Sequence, residues 1–466
     1  MKLKILFITS LLVFGAGFKV KSAQKITLGW KAGVAKCVIT PKEPMWMSGY
    51  AARTKPAEGK IHDLWAKALF LEDSLGNSSL LITSDIVYFT KGISDLIRNE
   101  LQEKLGLSKS QVILNSSHTH SGPELIGNNL RYTYSKHFDQ VYQTNGKYSK
   151  LSEDYSYWLA NRVVELAEEA KNSKHPVNIF SGNGTVRFQV NRRNNKESEL
   201  TNLHELKGPN DYSVPVLKIE DKDGNLDVIV FGYACHATVL SGYEWSGDYP
   251  GFAQIDLENK YEGATAMFFQ GAGADLNPLP RRTVALAKQY GNELAAAVER
   301  TLSDNMQRLS PKLEVAYSEI NLDFVESDLT AIEQLKDVIK ESSGYADYDK
   351  RNAKFVLEQL EAGKKINTTF YPYPIQAWKM GQQVIVALGG ELTVGYAIRL
   401  KQIFGNNIFV LGYSNDVTGY IPTAKILQEG GYEGARAPIP SMLWKSDIED
   451  VIVRETTRLV NNLLSD

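Results

Sequence analysis

Apolar and polar positions follow two rhythms along this chain. Short, almost wholly apolar runs at Ser79–Thr83, Val112–Leu114, Val228–Tyr233, Ala264–Phe269, Val384–Leu388 and Ile408–Leu411 predict buried strands. Between them lie segments whose apolar residues recur three or four apart. Gly92–Leu105 carries Ile93, Leu96, Ile97, Leu101 and Leu105 at helical spacing, and Gly106 can end it. Tyr155–Ala170, Val284–Leu302, Thr393–Ile403 and Ser446–Leu464 also read as helices. The alternation predicts an α/β fold of mixed sheets flanked by helices. Two stretches break the rhythm. Asn128–Leu151, rich in Tyr, Asn, Lys and Gly, reads as a long loop, and the highly charged Ser327–Gly363 reads as a projecting helical hairpin broken at Ser342-Ser343-Gly344.

The chemistry is concentrated just past the ends of the apolar runs. Val112–Leu114 leads into His118 and His120, two residues apart, so that on an extended backbone both face the same way. Such a pair can hold a metal together, or one can hold it while the other moves protons. Val228–Ala234 leads into Cys235-His236-Ala237-Thr238, and Ala264–Phe269 into Gln270-Gly-Ala-Gly-Ala-Asp-Leu-Asn-Pro278. Val384–Leu388 leads into Gly389-Gly390-Glu391, and Ile408–Leu411 into Gly412-Tyr-Ser-Asn-Asp-Val-Thr-Gly-Tyr420. Ligands of α/β sheets sit at strand ends. Five polar, glycine-rich turns after buried strands therefore predict one shared site.

The 466 residues are 43% hydrophobic, enough for a sizeable core in one large domain or two ordinary ones. A net charge of −2 gives no basis for nucleic acid or an anionic membrane as partner. Basic residues at Lys2 and Lys4, the apolar run Ile5–Phe18 and the small Ser22 and Ala23 predict a secretory signal peptide over 1–23, hence export to the periplasm or beyond, with no stable membrane anchor. The two cysteines, Cys37 and Cys235, leave pairing open but provide no cysteine metal motif. Any metal must use His, carboxylate or phenolate ligands.

With these pieces in order, the chain resembles the catalytic domain of the neutral/alkaline non-lysosomal ceramidases, which are zinc amidohydrolases. The resemblance rests on Ser48-Gly-Tyr-Ala51, His118-Thr-His-Ser-Gly-Pro123, Asn191-Arg192, His236-Ala-Thr238 with Ser246-Gly-Asp248, Gln270 to Pro278, Gly390-Glu-Leu-Thr393, and Asn415 to Thr423 with Tyr432-Glu433. It implies one ceramidase-like catalytic domain over 24–466, with Zn²⁺ held by His118, His236, Glu391 and Tyr420. It also implies a proton-moving role for His120 or Tyr420, and an oxyanion- or carboxylate-binding role for Arg192. Arg193, Asp275 and Gln270 are assigned to the substrate.

The departure is Asn277, which stands where the family has its nucleophilic serine in Ala274-Asp-Leu-Asn-Pro278. An asparagine is no acyl-transfer nucleophile, although it can donate a hydrogen bond within the catalytic site. The family's C-terminal immunoglobulin-like domain is also expected to be missing. These departures lead to the expectation of a zinc-dependent carbon–oxygen lyase, or dehydratase, acting on uronic-acid-containing oligosaccharides, for which loop aromatics such as Tyr243 and Trp245 would supply stacking faces. Two alternatives stand beside it: a ceramidase-type amidohydrolase cleaving N-acyl sphingosine or a related amide, and a non-catalytic metal-containing binding protein.

Overall fold

The computed structural model describes residues 29–126, 130, 132–200, 205–435 and 437–465. The segment 1–23, expected as a signal peptide, lies outside the described residues. The larger sheet contains β1 (Trp30–Val38), β2 (Trp65–Glu72), β3 (Ser78–Ser84), β4 (Val112–Ser116), β5 (His175–Thr185), β6 (Ser213–Asp221), β7 (Leu226–Tyr233) and β8 (Thr265–Gln270), ordered β8-β7-β6-β5-β1-β2-β3-β4, with the short strand Gln307–Arg308 on β5. The outer pairs β3–β4 and β7–β8 are parallel, and the inner pairs are antiparallel. A parallel pair needs a crossover, and helices supply it. Among α1 (Lys91–Leu105), α2 (Tyr134–Tyr142), α3 (Lys147–Asn172), α4 (Asp248–Lys260) and α5 (Val284–Ser303), α1 joins β3 to β4 and α4 joins β7 to β8.

Alternation along the strands builds the layers. Ala66, Ala68 and Phe70 of β2 pack with Ile97, Leu101, Leu159 and Val163 of α1 and α3. Leu69 and Leu71, pointing the other way, join Trp378, Ile385 and Phe409 of a second sheet. That sheet runs β9 (Leu313–Asp323), β10 (Phe370–Met380), β11 (Gln383–Leu388), β12 (Phe409–Leu411). Its far face is covered from α6 (Ala331–Ile339), α7 (Asp347–Glu361), α8 (Val394–Phe404) and, after the short α9 (Ala424–Glu429) and α10 (Gly431–Gly434), from α11 (Ile448–Ser465). The result is an α/β/β/α arrangement, the α/β class of mixed sheets flanked by helices.

Two expectations change. Asn128–Leu151 contains α2 and the start of α3 rather than only loop. Capping organises it: the Glu124 carboxylate accepts the Tyr134 and Ser135 N–H groups, and Asp139 accepts those of Tyr148 and Ser149. The charged hairpin forms as α6 and α7 but does not project, because Leu335, Val338, Ala353 and Val356 are buried in one cluster with Leu322 and Tyr371. Cys37 and Cys235 are both unpaired thiols. No helix among the described residues is long and apolar enough to cross a membrane.

Candidate active site

The two sheets meet at their strand ends, and asparagines tie them together. Asn115, at the end of β4, accepts the Gln270 N–H and donates to the Gly412 carbonyl at 2.8 Å. Asn415 exchanges bonds with the backbone of Leu114, at 2.7 Å from its own N–H and 3.0 Å to its side chain. The turns after β4, β7, β8, β11 and β12 therefore face one another, and their polar residues converge.

His118 has a positive φ of 57°, a conformation uncommon for a side-chain-bearing residue. Its Nδ1 lies 2.7 Å from the Val87 carbonyl, and His236 Nδ1 lies 2.7 Å from the Gly273 carbonyl. A carbonyl can only accept, so each Nδ1 carries a proton and each Nε2 is turned to the centre. Burial, reinforced by the Arg192 charge, pushes His236 down to about 4, which keeps it neutral near pH 7. Glu391 Oε2 lies 3.5 Å from both Nε2 atoms, and among the described residues neither it nor His236 Nε2 has a hydrogen-bond partner despite burial. Two buried polar atoms, His236 Nε2 and Glu391 Oε2, are thus left unsatisfied beside His118 Nε2.

A cation resolves this. Two donors on a tetrahedral ion with bonds of about 2.1 Å stand about 3.4 Å apart, close to the separations here. The imidazole–carbonyl pairs also match the way metal-bound histidines are oriented. The residues therefore fit a divalent metal ion.

His120 belongs to the same cluster: its ligand nitrogen lies within 4.8 Å of those of His118 and His236, and its Nε2 is 3.2 Å from His118 Nε2. It differs in one respect. Its Nδ1 is buried without a partner among the described residues, so no carbonyl orients it as the other two are oriented. Burial, with the neighbouring histidines, holds it well below the usual histidine range.

Tyr420 pairs with Glu391 in a two-residue parallel bridge, and its hydroxyl accepts a bond from Arg192 Nη2 at 3.2 Å. Arg192 also donates to Glu433 at 2.8 Å and, at a long 3.4 Å, to Asn277 Oδ1. Arg193 shares Glu433 at 2.6 Å. The chain thus brings together His118, His120, His236, Glu391, Tyr420, Arg192, Arg193 and Asn277. Two expected substrate residues lie elsewhere. The Asp275 carboxylate accepts the Val394 N–H at the start of α8 and the Asn191 amide. Gln270 is fully buried and donates to the Cys235 carbonyl at 2.8 Å. Both hold the frame, and neither borders the two cavities into which the cluster opens.

Sequence reasoning gave no role to Glu433, which joins the two arginines, or to Tyr413, whose ring lies 4.3 Å from that of His118. The signals were the polar run after β12 for Tyr413 and, for Glu433, its place in the Tyr432-Glu433 piece of the resemblance.

The two cavities share Gly49, His120, Tyr420, Gly431 and Tyr432. One, of about 560 Å³, reaches His118 and Glu391 and is walled by tyrosines and prolines including Tyr134, Tyr345, Tyr348, Pro438 and Pro440. The α6–α7 connection supplies part of that wall. The other, of about 630 Å³, is bordered by Arg192, Arg193, Lys196, Arg281, Asn277 and Thr238.

Comparisons with known proteins bear on this geometry. The family model of the neutral/alkaline non-lysosomal ceramidase N-terminal domain matches residues 30–305. Neutral ceramidase B of Dictyostelium discoideum is 25% identical over 260 residues, which span 50% of this chain and 33% of that protein. A solved ceramidase described as complexed with C2 superposes with a TM-score of 0.71 at 19% identity, over 94% of this chain and 76% of the other. The crystal structure of neutral ceramidase from Pseudomonas aeruginosa superposes with a TM-score of 0.69 at 18% identity, over 93% and 74%. These findings overturn the expected carbon–oxygen lyase of uronic-acid oligosaccharides, because every one of these matches is to a ceramidase. That expectation rested on one missing serine hydroxyl, set in a frame that matches ceramidases over most of the chain.

Proposed function

Since the chain belongs to the neutral/alkaline non-lysosomal ceramidase family, we propose that it is an exported, zinc-dependent amidohydrolase that cleaves an N-acyl amine. Residues 24–466 form its catalytic domain and 1–23 its export signal. The observation that carries the proposal is that His118 Nε2 and His236 Nε2 each lie 3.5 Å from Glu391 Oε2, with His236 Nε2 and Glu391 Oε2 buried and without a hydrogen-bond partner among the described residues. These residues, with Tyr420 beside them, would hold the ion. When bound, it would supply Lewis-acid polarisation of an oxygen at the site.

The protein's own groups do the rest. With Asn277 in the turn, the attacking group is water rather than a side chain. His120 is the proton carrier: it is neutral, it borders both cavities, and it lacks the carbonyl partner that orients the two ligand histidines. It takes a proton as the water oxygen bonds to the acyl carbon, and returns it to the nitrogen as the C–N bond breaks. Arg192 and the Tyr420 hydroxyl, 3.2 Å apart, face the charge that develops on the carbonyl oxygen.

The test is release of fatty acid from a short-chain ceramide by the purified chain, with bound metal measured alongside. Release that stops on chelation and returns with zinc supports the proposal. A protein that binds no divalent metal, or cleaves no N-acyl amine when loaded, refutes it. A serine-directed reagent is expected to leave no adduct at the Asn277 turn.

A further inference from the structure

The proposed hydrolase has its reaction centre where two chemically different cavities meet. His120 and Tyr420 border both. The two sides of a scissile amide placed there therefore run into different surroundings. The cavity walled by tyrosines and prolines also holds Asp349 and Asn352 but, among the described residues, no cationic side chain, and is the side left for the acyl group. The other presents Arg192, Arg193, Lys196 and Arg281.

Each of these cations has a carboxylate partner: Glu433 for Arg192 and Arg193, Glu429 for Arg193, Glu199 for Lys196 and Glu197 for Arg281. Among the described residues, only Glu197 and Glu433 share the cavity wall with them. Glu199, which pairs with Lys196, and Glu429, which pairs with Arg193, do not border it. A guanidinium has five N–H donors. Arg192 directs one each at Glu433, Tyr420 and Asn277, which leaves further N–H groups for a ligand.

Two more groups extend the donor set. Asn277 accepts from Arg192 through Oδ1, so its NH₂ remains a donor. Thr238 is 2% exposed and borders the cavity, and its hydroxyl has no partner among the described residues. A neutral hydroxylated amine leaves such a wall of donors short of acceptors. A carboxylate or phosphate supplies them, and Arg forks match both.

We propose that this second cavity is an anion subsite, so that the preferred substrate is an N-acyl amine whose amine portion carries a carboxylate or a phosphate. The inference rests on the hydrolase reading for the direction of the substrate, but not for the existence of the subsite.

The test uses the zinc-loaded full chain and two matched pairs. N-dodecanoylglycine against N-dodecanoylglycinamide probes a carboxylate, and short-chain ceramide 1-phosphate against short-chain ceramide probes a phosphate. Binding is measured by calorimetry and fatty acid release separately. The anionic member of at least one pair is expected to bind about 10- to 100-fold tighter, the range of charge-assisted hydrogen bonds. Whichever pair shows the preference identifies the anion. Arg281→Gln and Lys196→Gln should each shrink it. Equal or weaker binding of the anionic member in both pairs overturns the subsite, as does a preference that neither variant reduces. Release without anionic preference removes the subsite and leaves the hydrolase. Anionic preference without release keeps the subsite and removes the hydrolase.

Discussion

Replacing Gly49 by alanine tests the placing of His120 without touching a metal ligand. Gly49 has φ +99°, and a Cβ built there would lie 2.5 Å from His120 Cγ, 2.6 Å from Nδ1 and 2.8 Å from Cβ. Carbon atoms in contact prefer about 3.5–4.0 Å, so the imidazole must retreat by about 1 Å. It has little room: the rings of Tyr50 and His118 both stand 4.8 Å from it. A misplacement of about 1 Å costs roughly 10²-fold in rate, or about 2.7 kcal/mol of barrier. The positive φ adds about 1–2 kcal/mol of folding destabilisation. Gly49→Ala should therefore fold and keep its metal on His118, His236 and Glu391 while kcat falls about 100-fold. Turnover of a short-chain N-acyl substrate, with metal content by mass spectrometry and stability by urea unfolding, reads all three. A folded, metal-loaded variant with near-wild-type kcat would show that His120 does not carry the proton. Loss of metal together with activity would place His120 among the ligands.

Further outcomes rest on the same geometry. His236→Ala and Glu391→Ala should each lower bound metal, whereas His120→Ala should retain it and lose roughly 10²- to 10⁴-fold in rate, as removal of a general acid–base group does. Asn277→Ala should slow turnover by no more than about tenfold, because it removes one long hydrogen bond and no nucleophile. Burial pushes Asp416 up to about 6 despite the 2.7 Å bond from the Tyr371 hydroxyl. A raised folded-state value means that this carboxyl favours folding at low pH, and that the contribution is lost as pH rises through about 6. Asp416→Asn should thus match the wild type near pH 4 and exceed it at pH 8, by up to about 3 kcal/mol, in urea unfolding.

The sequence exposed those parts of the fold that are buried on both faces. The runs at Val228–Tyr233 and Val384–Leu388 are continuous and apolar, and both are strands. His175–Thr185 is also a strand, but it carries Pro176, Gly182 and Gly184, and its residues alternate between buried and accessible. Those glycines are needed because a Cβ at Gly184 would lie 2.4 Å from Thr301 Oγ1, so close packing against α5 erased the usual strand signal. The long charged segment read as a hairpin is helical, but nothing in its charge pattern revealed that Leu335 and Val356 close a core. At the site, the order of the strand-end turns pointed to the convergence of His118, His236 and Glu391. Gln270 and Asp275 share a turn with Asn277, and one-dimensional proximity could not show that their side chains point into the frame. Glu433 was invisible as a partner because its arginines lie some 240 positions earlier.

The most direct test of the metal-dependent hydrolase is fatty acid release from a short-chain ceramide by the purified chain, before and after metal removal, with Glu391→Ala run in parallel. The expected result is release that disappears on chelation, returns with zinc and is absent in the variant. Undiminished release from the stripped protein or from Glu391→Ala would contradict it, as would a zinc-loaded wild type that releases nothing from any N-acyl amine.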